Sequence, residues 1–412
     1  MSKRNSIIII TITFFLIIGG LIFFYFYSNK QIVGTQSTST KSGGLFGDTS
    51  SEKNTGISST TAPEGQTNTG AEQKLLQIYK NPVSGAIIFQ NKDKNNSIRF
   101  IDRSNGNVYE YVINPDTEGS LSRLTNTTIP KVQETVWTSS ADRVILRYLD
   151  GNTDSIASFS GLIEKPLSSD SSGSLVGTFL TTNIKQLVTN PSGDKAFGLL
   201  SKIDGSGAYG LLYTLEKNSK KQIFESPISL WNVSWPKDNI IALTTKPSYS
   251  ESGYLYFFNN LTGTMEKIIG NIKGLSAIVN SDASYVAYSE SLDNDFNLNV
   301  FNVKTKTTTN LGLEAFAEKC VWGRANNMTL YCAIPKTVAD ASYPDDWYQG
   351  LISFSDDIWS INIENGSTKL IYQVGVNENS EIDVQNILIS PDDKYLTFMN
   401  KNDLSLWALK IN

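Results

Sequence analysis

The residues best suited to chemistry lie in one polar and aromatic segment, Lys336 to Asp357, which reads KTVADASYPDDWYQGLISFSDD. Aromatic planes beside carboxylates suit sugar rings, peptide aromatic groups or cations, and clustered Asp oxygens could hold Ca²⁺. The candidate ligand-binding residues are Tyr343, Asp345, Asp346, Trp347, Tyr348, Phe354, Asp356 and Asp357. The alternative is structural: the aromatic residues form a buried plug over the domain, and the Asp side chains cap turns.

Composition excludes most catalytic classes. Histidine is absent from all 412 positions, which removes Ser-His-Asp and Cys-His catalysis and every His-ligated metal site. No nucleotide-binding or nucleophile-elbow motif is present. The net charge is −5, and no cluster of basic residues occurs beyond the amino-terminal segment, which argues against a nucleic-acid partner. We therefore expect no catalytic residues and no cofactor, with an Asp-dependent hydrolase or lyase as the remaining enzymatic alternative.

The two cysteines lie in two strand-like runs around a short polar turn, KCVWGRANNMTLYCAIP. Counting inward from Cys320 and Cys332 meets at Asn326, so the side chains should face each other across a hairpin. Cross-strand neighbours are close enough for a disulfide. Two reduced, half-buried thiols are the alternative, which an intracellular location would favour.

The amino-terminal part predicts a membrane anchor. Ile7 to Tyr27 is an unbroken apolar run long enough to span a bilayer, and Lys3 and Arg4 precede it. The run is longer than the apolar part of a cleaved signal peptide, and no small-residue cleavage site follows, although a cleaved signal remains the alternative. The basic residues favour a cytoplasmic tail over residues 1–6 and an extracytoplasmic location for the rest.

Residues 28–71 are rich in Ser, Thr and Gly and offer almost no apolar side chain for burial. Such a composition is typical of a flexible linker. The folded domain should therefore begin near residue 72 and continue to residue 412.

Residues 72–412 read as an all-β domain, with short runs rich in Val, Ile, Tyr, Phe and Thr cut by Asn, Asp, Ser and Gly. A phrase of a polar residue or Trp, a turn and an apolar strand recurs at Asn81, Trp137, Asn190, Trp235, Asn280, Trp322 and Ser390. Two further strands follow in most units, for example in IRFIDRSNGNVYEYV and IWSINIENGSTKLIYQV. This pattern predicts a seven-bladed β-propeller.

The last unit ends after its third strand, SLWALKI. Its missing fourth strand is available at Lys74 to Tyr79, which would close the ring and leave no open sheet edge. The recurring Trp137, Trp235 and Trp322 should be core residues between blades.

The phrase SPDDKYLTF at Ser390 to Phe398, with weaker copies at Asn190 and Asn280, resembles the blade signature of TolB-like and WD-type propellers. The resemblance covers Lys74 to Asn412 and implies fold only, because many unrelated functions share this motif. Together with the anchor and linker, the chain also resembles membrane-anchored propeller proteins of bacteria with small genomes.

These features predict a single-pass membrane protein whose extracytoplasmic propeller is a binding or scaffolding module of the cell envelope. The expected partner is another envelope protein or a cell-wall polymer. One alternative is an Asp-dependent enzyme acting on envelope glycans or peptides. Another is a structural subunit of an envelope complex, in which the helix itself makes the contact.

Overall fold

The computed structural model describes residues 74–114, 119–164, 173–293, 295–375 and 381–411. All of them fall in one compact unit, Thr69–Asn412. The predicted tail, membrane helix and linker, over residues 1–6, 7–27 and 28–71, lie outside the described residues. Within the described ranges, no helix has the length and apolar character needed to cross a membrane.

The described ranges are almost entirely strands. In chain order, the first are β1 (Leu75–Tyr79), β2 (Val83–Gln90), β3 (Asn96–Asp102), β4 (Val108–Val112), β5 (Ser120–Arg123), β6 (Val132–Trp137), β7 (Arg143–Asp150), β8 (Ser155–Glu164), β9 (Ser174–Phe179), β10 (Gln186–Thr189), β11 (Lys195–Ser201), β12 (Ala208–Thr214) and β13 (Ser219–Ser226).

The remaining strands are β14 (Trp231–Lys237), β15 (Ile240–Thr245), β16 (Ser252–Asn259), β17 (Met265–Lys273), β18 (Ser276–Val279), β19 (Tyr285–Leu292), β20 (Asp295–Asn302), β21 (Thr307–Asn310), β22 (Cys320–Trp322), β23 (Thr329–Pro335), β24 (Asp356–Asn362), β25 (Thr368–Tyr372), β26 (Val384–Ile389), β27 (Tyr395–Asn400) and β28 (Leu406–Lys410). A 3₁₀ turn (Ala317–Lys319) precedes β22, and a short helix, α1 (Asp345–Tyr348), lies between β23 and β24.

The strands form seven four-stranded antiparallel sheets. Six sheets are made of consecutive strands, from β2–β5 to β22–β25, and the seventh joins β26, β27 and β28 to β1. The first strand of each blade contacts that of the next, and β26 contacts β2. The seven-bladed propeller that the repeats predict is therefore confirmed.

The two ends of the chain close the ring, as the sequence predicts. In the seventh blade Leu75 lies opposite Leu409, and Leu76 opposite Ala408. The Lys410 amide also donates to the Lys74 carbonyl oxygen at 2.9 Å. Every blade thus has four strands, and the sheet edge that would promote association with another chain is paired.

The recurring phrase has a local physical cause. In the third blade the Asn190 side-chain oxygen accepts from the Lys195 amide at 2.8 Å, and Gly193 has a positive φ of 78°. In the seventh blade the Ser390 hydroxyl oxygen accepts from the Lys394 and Tyr395 amides, both at 3.0 Å. The polar first residue therefore fixes the tight turn between the first and second strands of a blade.

The first blade differs from its prediction by one strand. Asn81 precedes β2, and the turn after the first strand starts instead at Asn91, whose side-chain oxygen accepts from the Asp93 and Asn95 amides at 3.0 Å. The phrase at Asn81 is thus not the first turn, and IRFIDRSNGNVYEYV forms the second and third strands, β3 and β4. The sequence NKDKN forms the same side-chain cap, but it lacks the neighbouring apolar residues by which the other copies of the phrase were recognised.

The recurring tryptophans occupy equivalent places at or near the ends of first strands. Trp137, Trp235 and Trp322 are 7%, 7% and 6% exposed, as expected of core residues. The Trp322 indole N–H donates to the Ile278 carbonyl oxygen of the neighbouring blade at 3.2 Å. All three rings pack in apolar clusters that include residues of the preceding blade, and so they help to hold adjacent blades together.

The propeller has two faces. The linker face carries the links between blades and the loops from second to third strands. The opposite, hairpin face carries the turns from first to second and from third to fourth strands. Because β1 is antiparallel to β28, it begins at the hairpin face, and residue 74 is therefore on that side.

Candidate functional site

The segment predicted as a candidate site lies on the linker face of the sixth blade. Residues 336–355, here called the insertion, join β23 to β24 and contain α1. The Asp346 carboxylate accepts from the Ser342 amide at 2.8 Å, which satisfies a free amide group beside the start of α1. The insertion therefore has a defined local structure.

An aromatic cluster holds the insertion against the propeller. Tyr343, Trp347 and Phe354 are 0%, 4% and 3% exposed and pack against Phe296 of β20 and Phe316 of the link before β22. The Phe296 and Phe316 rings stack with centroids 4.1 Å apart, and the Trp347 ring lies 5.3 Å from that of Phe316. Packing of this kind is characteristic of a small hydrophobic core beneath a long loop.

A fully buried charge cluster lies beside these rings. The Lys319 ammonium is 2.6 Å from Asp356 Oδ2 and 2.5 Å from Asp383 Oδ1, and all three side chains are 0% exposed. The Trp347 and Phe354 ring centroids are 5.0 and 4.9 Å from the same ammonium. One cation thus pairs with two carboxyl groups and also contacts two aromatic faces.

The Asp383 carboxylate connects the insertion to the link before the seventh blade. Its Oδ2 accepts from the Trp347 indole N–H at 2.9 Å and the Phe354 amide at 3.2 Å, and it lies 3.1 Å from the Ser353 hydroxyl oxygen. Asp356 Oδ2 accepts from the Val384 amide at 2.7 Å. Burial raises the pKa of Asp356, and the charge of Lys319 opposes that shift.

Hydrogen bonds attach the insertion to the fourth, fifth and seventh blades. In the fourth blade, the Tyr249 amide donates to Asp345 Oδ2. In the fifth, the Ser291 hydroxyl donates to the Tyr343 carbonyl oxygen. In the seventh, Asn402 Oδ1 accepts from the Ser353 hydroxyl at 2.7 Å. We call the linker face of blades four to seven the covered arc.

A carboxyl and a phenol also meet under the insertion. The Tyr348 hydroxyl donates to the Glu318 carboxylate, and the Ser276 hydroxyl donates to the same oxygen at 3.3 Å. Burial raises the pKa of Glu318, and these two hydrogen bonds and Lys319 oppose the shift. Burial, followed by the nearby Glu318 charge, raises the pKa of Tyr348 well above its usual value. Tyr348 is therefore a hydrogen-bond donor throughout the ordinary pH range.

The eight candidate residues divide into two groups. Tyr343, Trp347, Phe354 and Asp356 are buried, so they stabilise the insertion and do not present their side chains to a ligand at the surface. This placement agrees with the structural alternative, a plug over the domain. Asp345, Asp346, Tyr348 and Asp357 are partly exposed, and a ligand role for them stays a prediction.

The partly exposed carboxylates already have protein partners. Asp345 and Asp346 accept backbone amides, and Asp357 Oδ1 accepts from the Val374 amide at 3.1 Å and lies 3.5 Å from the Lys336 ammonium. In the described part of the chain, no group of three or more Cys, Asp or Glu side chains is arranged to hold a metal ion. Ca²⁺ binding by this loop stays a prediction without support from these contacts.

Sequence reasoning missed Lys319 and Asp383, the charges on which the insertion is anchored. Each lies in an apolar phrase, AFAEKCVW and EIDVQNILI, where a charged side chain has few ways to reach water. That context is a usable signal of a buried, paired charge. The pairing itself joins links on either side of the sixth blade and cannot be inferred from local sequence.

Cys320 and Cys332 lie directly opposite each other in β22 and β23. A disulfide joins them, with Cα atoms 4.0 Å apart. The bond connects the first two strands of the sixth blade, the blade that carries the insertion.

The rest of the linker face has a different character. From the first blade to the link into the fourth, here called the open arc, it presents exposed apolar side chains. These are Leu149 (58% exposed), Phe179 (60%), Ile203 (107%), Ile228 (37%) and Leu230 (58%). The Phe179 ring packs edge-on against the Phe159 ring at a centroid distance of 5.2 Å, and the Phe179 side chain is mostly exposed.

Comparisons with known proteins give similarity in fold only. No protein-family model and no curated protein matches the sequence. An oligogalacturonate lyase in complex with manganese is 12% identical with a TM-score of 0.46, covering 82% of this chain and 98% of the lyase chain. The β-propeller domain of the Trilobed protease from Pyrococcus furiosus is 11% identical with a TM-score of 0.49, covering 80% of this chain and 95% of that domain.

TolB from Acinetobacter baumannii is 10% identical with a TM-score of 0.42, covering 69% of this chain and 62% of TolB. At these identities the similarities carry no argument about ligand or activity. The sheet topology and the closure of the ring by β1 and β28 are observed directly. The chain is therefore a seven-bladed β-propeller.

Proposed function

We propose that this protein is a membrane-anchored binding module of the cell envelope, with an extracytoplasmic propeller that binds another envelope protein through its open arc. The observation that carries the proposal is that five large apolar side chains are exposed on the part of the linker face that the insertion leaves uncovered. Exposed apolar surface on a folded domain is a candidate site for contact with another protein.

The distribution of these side chains is uneven. Among the described residues, twelve large hydrophobic side chains are exposed, and five of them belong to the open arc. In the covered arc two are exposed, Leu292 (44%) and Leu351 (69%), whereas the aromatic Tyr343, Trp347 and Phe354 are buried. Four of these five side chains are aliphatic, which fits a protein surface better than a neutral sugar chain.

The proposed anchor, residues 7–27, and linker, residues 28–71, precede β1 in the chain. Within the described residues, β1 begins at the hairpin face, opposite the open arc.

The carboxylates of the insertion give less support to the enzymatic alternative. Asp356 is buried against Lys319, and Asp345 and Asp346 accept backbone amides. General acid and base catalysis would need carboxyl groups within reach of a substrate. A binding role is therefore the function that the geometry supports best.

Position-specific photocrosslinking in native membranes tests the protein-binding role. A photoreactive residue at Ile203 should give a discrete protein adduct, and one at Leu261, which is 79% exposed on the hairpin face, should not. An adduct of the same mass from both positions, or adducts with glycan alone, would contradict the proposal.

Matched substitutions sharpen this test. Ile203→Ser together with Phe179→Ser should reduce recovery of that adduct partner about tenfold, as expected for loss of a central apolar contact. Leu261→Ser removes a comparable exposed side chain from the other face and should leave recovery unchanged. Equal recovery from both variants would show that the open arc is not the binding surface.

The proposed location has its own measurement. Protease added to intact cells should remove the propeller and leave an amino-terminal fragment, whereas full protection would overturn the orientation. Replacing residues 7–27 with an unrelated anchor should retain partner binding. Loss of binding after that exchange would support the alternative in which the helix makes the contact.

A further inference from the structure

An open cavity of about 530 Å³, with polar and charged residues in a wall that is largely apolar in area, lies on the linker face of the first blade. Its walls come from the link before β2, the turn after β3 and the link before β6. The lining residues used below are Asn81, Asp102, Arg103, Ser104, Lys131 and Gln133. The cavity lies within the open arc, away from the insertion.

Neutral protein donors already satisfy the single carboxylate in the wall. Asp102 Oδ2 accepts from the Tyr79 hydroxyl at 2.6 Å, and Oδ1 accepts from the Ser104 and Asn105 amides at 2.9 and 3.2 Å. The Asp102 side chain is also buried, at 3% exposure. It therefore supports the wall and forms no ion pair with the neighbouring Arg103.

Two cations lie in the wall, and neutral groups position the guanidinium of one of them, Arg103. The Arg103 amide donates to the Pro82 carbonyl oxygen at 3.0 Å, and its guanidinium donates to Gln133 Oε1. The Gln133 side-chain N–H in turn donates to the Lys131 carbonyl oxygen at 3.0 Å. Neither Arg103 nor Lys131 forms an ion pair with any residue that the structure describes.

The nearby acid on β6 is occupied elsewhere. Glu134 is ion-paired with Arg147 of β7. The cavity thus combines two cations that have no ion pair with a described residue with the polar side chains of Asn81, Ser104 and Gln133. The Ser104 hydroxyl also donates to Asp102 Oδ1. A guanidinium suits a planar carboxylate, and neutral amides suit sugar hydroxyls.

We propose that this cavity binds an acidic glycan, through the carboxylate of a uronic acid unit held by Arg103 and Lys131. The volume falls in the range of small-ligand sites, about 300–1,000 Å³, and is large enough for a sugar unit. The site is separate from the apolar side chains of the open arc, so loss of protein binding there would leave this prediction intact.

The test is a titration of the full-length protein in detergent with a panel of fluorescent hexasaccharides built from uronic acids, including alginate fragments. Carboxyl-reduced forms of the same sugars provide the neutral comparison. Arg103→Gln should weaken binding of the acidic forms at least about tenfold, since it removes a charge-assisted hydrogen bond. Wild-type protein should bind the neutral forms at least about tenfold more weakly than the acidic ones.

Lys131 permits a closely matched control. Lys131 and Lys94 are both exposed, and both have positive φ, 60° and 62°. Asn tolerates that backbone conformation, so Lys131→Asn and Lys94→Asn remove the same charge with the same backbone preference. Because Lys94 lies on the hairpin face, only Lys131→Asn should weaken binding, by about threefold or more.

Several results would overturn the proposal: equal affinity for acidic and carboxyl-reduced sugars, equal effects of the two Lys variants, or no effect of Arg103→Gln. Absence of binding by every member of the panel at about 1 mM would also overturn it. Competition with inorganic phosphate distinguishes a glycan-binding site from a site that binds any small anion. Competition by phosphate as strong as that by the acidic hexasaccharides would mean that the cavity holds free anions only.

Discussion

The covered and open arcs are two parts of one face of one ring, yet they use their side chains in opposite ways. In the covered arc, Lys319 is paired with Asp356 and Asp383, and Trp347 and Phe354 are buried beside it. In the open arc, Phe179 and Ile203 are exposed, and Arg103 has no ion pair with a described residue.

The blades themselves do not cause this difference, because every blade has the same four antiparallel strands. The insertion causes it. By contacting blades four to seven, it converts the aromatic and charged groups there into a second small core. Side chains of a type that suits ligand binding can therefore be buried or paired within the folded protein. The groups that we propose to bind a ligand lie instead in a region without a conspicuous sequence motif.

The largest expected effect comes from removing the cation of the covered arc. Lys319→Met leaves Asp356 and Asp383 buried without compensation, and we expect the free energy of unfolding to fall by about 3–5 kcal/mol. Denaturant unfolding of the full-length protein in detergent measures this loss of unfolding free energy.

Lys306→Met is the control for that change. Lys306 pairs with Glu266 on the surface, where both side chains are more than half exposed. Its replacement should change the free energy of unfolding by about 1 kcal/mol or less. Similar losses in the two variants would mean that the buried cluster does not anchor the insertion.

A second prediction compares one residue type in the two arcs. Phe354→Ala removes a side chain 3% exposed under the insertion and should cost about 3 kcal/mol of folding free energy. Phe179→Ala removes a side chain 60% exposed in the open arc and should cost about 0.5 kcal/mol.

Hydrogen exchange locates that loss. Residues 336–355 should exchange faster in the Phe354→Ala variant and at the wild-type rate in Phe179→Ala. Faster exchange in all blades of the Phe354→Ala variant would show that the insertion is part of the main core and not a separate unit.

The smallest expected effect is a pH dependence from Glu318. Since burial raises its pKa in the folded protein, the protonated form is favoured by folding. That contribution to stability is fully present below the usual pKa of 4.5 and is lost as pH rises through the raised pKa. Glu318→Gln, which resembles the protonated form, should therefore gain stability relative to wild type as pH rises.

Unfolding free energies measured from acidic to neutral pH check this prediction. Glu314→Gln removes the same charge from an exposed position in the same link and serves as the control. A difference between Glu318→Gln and wild type that stays constant with pH, or that reverses sign, would contradict the assignment of Glu318 as a buried acid.

Much of the fold followed from short-range patterns. The Asn190 and Ser390 turns and the strand periodicity predicted seven blades, because their causes are local: a side-chain oxygen that caps a turn and a strand with one buried face. The first blade was misassigned by one strand because Asn91 carries the cap without the usual neighbours.

The candidate site was less accessible to this reasoning. The sequence located the insertion and offered burial as an alternative to ligand binding, but it did not choose between them. That choice depends on Lys319 and Asp383, which come from links on either side of the sixth blade. The Arg103 and Lys131 cavity had no sequence signal, because its walls belong to three separate loops.

The sequence by itself therefore determined the architecture, the pairing of the chain ends and the segment most unlike the rest. Those properties depend on local geometry and on the spacing of apolar residues. Only the tertiary structure decided which charges are paired, which aromatic rings are buried and which of these groups are exposed to solvent. Electrostatic compensation and burial are properties of neighbours in space, and in this ring those neighbours are up to several blades apart along the chain.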